Sequence, residues 1–116
     1  MSLEDQILQA IKAAMPANAE IRVVPGIEPL RVGVSWPLND DPERLNKMSK
    51  TISIRVSHEA AQDFSSVSAV NQGASYSRVL AYLQAKLAQF DPHHNALRYE
   101  PPPVEQWVIT SEVVIG

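Results

Sequence analysis

The chain has 116 residues, no cysteine and a formal net charge of −3. That length suits one self-sufficient hydrophobic core, and the missing cysteines exclude disulfides, thiolate zinc sites and cysteine nucleophiles. No apolar run approaches the roughly eighteen residues of a membrane-crossing helix and no basic-then-apolar leader is visible, so the expectation is a single cytoplasmic domain over residues 1–116 with no membrane partner.

The acidic balance disfavours a protein that lives on nucleic acid, where Lys and Arg must neutralise phosphate. Charge is nevertheless uneven. Residues 50–90 hold four basic and two acidic groups, whereas residues 91–116 hold one and four.

In chain order, Leu3, Ile7, Ile11 and Ala14 share one helical face, with Leu8 beside them, Glu4 and Asp5 in the first turn and Pro16 closing the segment. Ser2 and Asp5 have the spacing of a capping box. Glu20 to Val24 reads as a short strand ended by the Pro25-Gly26 turn pair. Leu30 to Trp36 is a second strand, with Val32, Val34 and Trp36 opposite Arg31, Gly33 and Ser35, and Gly33 marks a bulge or a close approach.

The polar stretch from Pro37 to Met48 reads as a connector that can hold one helical turn over Glu43 to Lys47. Its Asn39, Asp40 and Asp41 are oxygen donors for a hard cation. They lack the alternating twelve-residue spacing of a calcium loop.

The densest signal begins at Lys50. Ile52, Ile54 and Val56 alternate with Thr51, Ser53 and Arg55, which places one face of a strand inward and the other towards water or a partner. Ser57 then fits a helix N-cap. Tyr76, Leu80, Leu83, Leu87 and Phe90, widened by Val79, form a helical stripe that Ser75 or Ser77 can cap and Pro92 ends. Asp91 to Pro103 is proline-punctuated loop. Val104 to Ile115 resumes as strand, and its apolar end is expected to extend a sheet edge or to pair with a second copy.

The order predicts an α+β fold, α-β-β-β-α-β, in which helices cover one face of an antiparallel sheet and the second helical region breaks near Gly73. The uncovered face then carries Arg22, Arg31, Thr51, Ser53 and Arg55, with Ser35 among them. Grouped guanidiniums bind carboxylate or phosphate bidentately, while singly they merely keep a polar face soluble.

Metal chemistry has thin support. His93 and His94 adjoin Asp91, and His58 adjoins Glu59 far away in the chain; adjacent histidines point in different directions and chelate poorly together. No nucleophile elbow, phosphate loop, HExxH helix or dinucleotide fingerprint is present. No cofactor and no catalytic residue is expected.

The run KTISIRVSHEAAQDF, followed by Gly73 to Ser77 and the Val79-Leu80-Leu83 helix, resembles a ribbon-helix-helix DNA-binding unit. That resemblance implies a strand shared between two chains, base contacts from Thr51, Ser53 and Arg55, and phosphate held at the backbone of Ser75 to Ser77. Three readings thus stand: a non-catalytic binding module that forms a homodimer, a DNA-binding regulator built on residues 50–90, and a small metal-dependent enzyme.

Overall fold

A computed structural model describes residues 3–26, 30–38, 48–66, 69–93 and 103–115. Helix α1 spans Leu3–Ala14, with Ile7, Ala10 and Ile11 buried on one side. Strands β1 (Glu20–Val23), β2 (Leu30–Ser35) and β3 (Thr51–Val56) follow as an antiparallel meander. Between β1 and β2 the chain turns at Pro25-Gly26, where Gly26 has a φ of 78°, a value that only glycine adopts without strain. Gly33 makes no bulge: it stays in register between Arg22 and Ser53.

Ser57 caps helix α2 (His58–Ser66) by accepting the Ala60 N–H at 3.0 Å. Helix α3 (Ala69–Ala88) comes next, then β4 (Val104–Ile109) and a terminal helix α4 (Ser111–Ile115). Helix α3 runs unbroken through Gly73, which corrects the expectation of a break near that residue. Gly73 lies inside α3, where its carbonyl accepts the Ser77 hydroxyl at 3.0 Å. A mid-helix glycine costs about 1 kcal/mol relative to alanine. The buried stripe of Ser75, Val79 and Leu83 outweighs that cost, and neither Ser75 nor Ser77 caps a helix start.

Two further expectations are corrected. The sheet, ordered β1-β2-β3-β4, is mixed and not purely antiparallel, because β4 pairs parallel to β3. The reason is topological: α2 and α3 lie between β3 and β4, and a crossover through helices returns the chain in the direction it left. The end of the chain is helix and not strand. Thr110 accepts the N–H groups of Val113 and Val114, Val114 is buried, and Arg78 donates to the Val114 carbonyl at 3.1 Å. A hydrogen bond from Ser111 to Asp63 ties α4 to α2. Packing has overridden the strand preference of Val113, Val114 and Ile115.

The core lies between the sheet and the helices. Val32, Val34, Ile52, Ile54, Val56, Trp107 and Ile109 point to one side, where they meet Ile7, Ile11, Phe64, Val79, Leu83 and Val114. Phe90 stands edge-on to both Trp36 and Trp107, at 5.6 and 5.9 Å between ring centroids. Ser49, fully buried, accepts the Trp36 N–H and donates to the Lys50 carbonyl, both at 3.0 Å. The connection before β4 is fastened to the start of β3 by Lys50 N–H to Pro92 O and Thr51 N–H to Pro103 O. The Ser2 cap, the 43–47 turn, the Asn39 to Asp41 oxygens and His94 fall outside the described residues.

The terminal helix supplies a direct prediction. Val114→Lys forces a charge into the core and is expected to lower unfolding stability by several kcal/mol, whereas Ile115→Lys, at a side chain 53% exposed, should change it by about 0.5 kcal/mol or less. Urea unfolding of both variants checks the pair, and equal effects would contradict the helical ending.

Candidate functional site

β3 has its two ladders on opposite edges. Odd-numbered residues bond β4, as Thr51 N–H to Pro103 O and Ser57 N–H to Ile109 O show, so Ile52, Ile54 and Val56 bond β2. Arg31 opposite Arg55 and Gly33 opposite Ser53 are therefore the closer, non-hydrogen-bonded pairs, with Cα atoms about 4.5 Å apart. The register aligns Arg22, Gly33, Ser53 and Gln106 in one row across the sheet, and Arg31, Arg55 and Val108 in the next.

The register puts the residues expected on the outer face on one side of the sheet. Arg22, Arg31, Ser35, Thr51, Ser53 and Arg55 all turn away from the helices. The parallel partner β4 adds Val104, Gln106 and Val108, which sequence reasoning missed. Their signal was the parity against the inward Trp107 and Ile109, and using it required knowing that β4 lies beside β3.

The centre of this face has a defined shape. Arg31 Nε donates to Ser53 Oγ at 2.9 Å, and Ser53 is only 8% exposed although it lies on the outer side of the sheet. Gly33 opens a hollow alongside: a Cβ at that position would meet nothing nearer than the Arg22 carbonyl oxygen at 4.0 Å. Arg22 pairs with Glu20 at 3.4 Å, but both side chains are largely exposed and such a pair contributes little.

Arg31 and Arg55 differ from Arg22. Among the described residues neither has an ion-pair partner, and they face each other across the strand pair. Directly opposed like charges destabilise a sheet. Arg31 is half-buried and Arg55 exposed, so the first is held in place while the second is free to swing.

Other chemistry is not assembled among the described residues. No three of His, Cys, Asp and Glu come together to hold a metal, His58 is exposed at the start of α2, and the His93 N–H donates to Asp91 Oδ1 at 3.0 Å. The ribbon-helix-helix resemblance needs β3 free to pair with a twin, yet both its edges are taken by β2 and β4. It also needs a helix to begin near Ser75, which instead lies buried inside α3. Neither a family model, nor a curated protein, nor a solved structure matches the chain. No helix among the described residues is long and apolar enough to cross a membrane.

The opposed arginines give a stability prediction. Arg55→Glu turns a repulsive cross-strand pair into an attractive one, so at low ionic strength the urea midpoint should rise by the equivalent of about 0.2–1 kcal/mol. High salt should erase the gain. A variant less stable than the parent at low salt would show that the two guanidiniums do not oppose each other.

Proposed function

We propose that the protein is a non-catalytic binding module, working in the cytoplasm, whose uncovered sheet face docks an acidic segment of another protein. One observation carries this reading: the sheet register collects Arg22, Arg31 and Arg55 on a face where Glu20 is the only acidic group among the described residues. The charge complement of such a face is a run of carboxylates. Duplex or single-stranded nucleic acid fits less well, because the face carries no aromatic side chain among the described residues for bases to stack on and the chain is acidic overall.

Chemical-shift mapping of the labelled chain tests the reading. Poly-glutamate at low salt should perturb the backbone amides of β1 to β3 on the outer face, the response should weaken as salt rises, and a triple Arg22→Glu, Arg31→Glu, Arg55→Glu variant should lose it. An unperturbed face at low salt would overturn the docking reading.

Self-association is a second reading, favoured by the β4 edge. The outward backbone groups of Val104 and Gln106 have no partner strand among the described residues, and Val104 is 58% exposed. The Tyr82 hydroxyl donates to the Val108 carbonyl at 3.0 Å and so closes only one end of that edge. Two β4 strands paired across a two-fold axis would extend the sheet. Light scattering after size exclusion should then find a dimer that Gln106→Pro converts to monomer, since proline removes an outward N–H without touching the β3 ladder; a parent protein that is monomeric at millimolar concentration refutes this reading.

A further inference from the structure

Within the docking face, on which this inference rests, we propose that Arg31 and Arg55 form a two-pronged receptor for one side-chain carboxylate of the acidic partner, with Gly33 and Ser53 as its floor. Three features of the geometry converge on it.

The first is orientation. A guanidinium has two edges that can grip a carboxylate with paired N–H groups. Arg31 commits its Nε to Ser53 Oγ at 2.9 Å, which leaves the edge formed by its two terminal nitrogens for a ligand and fixes the plane in which they lie. Ser53 is thus a positioning residue. Long side chains lose rotamer freedom when they bind, and a side chain already held loses less.

The second is charge. Arg31 and Arg55 stand on opposed positions of a close, non-hydrogen-bonded pair, and the one ion-paired carboxylate on this face, Glu20, is engaged by Arg22. An anion between the two arginines converts a repulsive pair into two attractive ones. Binding therefore gains both the new contacts and the relief of the old repulsion.

The third is room and donor type. Gly33 leaves the space beside Ser53 unfilled, so a small planar group can come down to the sheet surface. Phosphate sites usually add backbone N–H donors from helix starts or nested turns. None is offered at the two arginines: the main chain of Arg31, Gly33, Ser53 and Arg55 is spent on the ladders, with Val24 N–H bonded to Arg31 O and β3 paired on both sides. Two side-chain forks and no main-chain donors match a carboxylate better than a phosphate.

The test uses the full chain, labelled with ¹⁵N, and reads the side-chain Nε–H signals of its arginines. The probes are a blocked hexaglutamate peptide, a blocked hexaglutamine peptide and inorganic phosphate. Hexaglutamate should shift the Nε–H signals of Arg31 and Arg55 saturably, while hexaglutamine leaves them in place.

Arg55→Lys keeps the charge and loses the fork, and should weaken hexaglutamate binding about tenfold, the equivalent of one charge-assisted hydrogen bond. Arg31→Lys should do the same, and Ser53→Ala should weaken binding while Lys12→Gln, exposed on α1 away from this face, leaves it within a factor of about two. Arg55 is exposed, so its variant reports even if a change at Arg31 disturbs the fold.

The failures are distinguishable. Amide shifts across the face with Arg31 and Arg55 Nε–H unmoved would overturn the receptor and leave the docking reading standing. No shift anywhere on the face overturns both. Lysine variants that bind as tightly as the parent overturn the two-pronged geometry, and a stronger response to inorganic phosphate than to hexaglutamate overturns the carboxylate assignment.

Discussion

β3 is hydrogen-bonded on both edges and does different work on its two faces. Inward, Ile52, Ile54 and Val56 are buried beneath the helices; outward, Ser53 anchors Arg31, and Arg55 stands against it. A shift of one residue in its pairing would exchange the two sets, placing an arginine in the core and isoleucines in water. The apolar side therefore fixes the polar side. The arginine array is placed by the burial of residues that it never touches.

That coupling explains what could be read in advance. The alternation of residues 51–56 and of 30–36 is strong enough to assign each side chain to a face without knowing the strand order, which is why Arg31, Ser53 and Arg55 were found together. The Ser57 cap was equally visible, because a serine between a strand and a helical run has one obvious hydrogen bond to make. What escaped was long-range. The direction of β4 depends on the helical crossover before it, and the apolar ending could be assigned to helix only through Thr110, Arg78 and Asp63, whose contacts come from tertiary structure. Gly73 misled because glycine is a local signal and α3 is held by its buried stripe. The anchoring of Arg31 by Ser53 is legible only once the register is known.

The arginine face also bears on how stability and function divide. A sheet selected only for stability would place opposite charges, or a β-branched residue, across from Arg31. Two guanidiniums there are a small standing cost, of the kind that tends to mark positions kept for a task other than folding. Buried polar side chains among the described residues are satisfied, Ser49 by two hydrogen bonds, from the Trp36 N–H and to the Lys50 carbonyl.

The parallel placement of β4 has a kinetic consequence. The β1-β2-β3 meander is made of comparatively local pairings, whereas β4 must return across the 47 residues that separate Val56 from Val104, and closing so long a loop is the slower event. During that interval the outer edge of TISIRV is bare, and its β-branched residues are of the sort that nucleate intermolecular sheets. Arg55, the single charge within that segment, has the chemistry and position of a gatekeeper against such pairing.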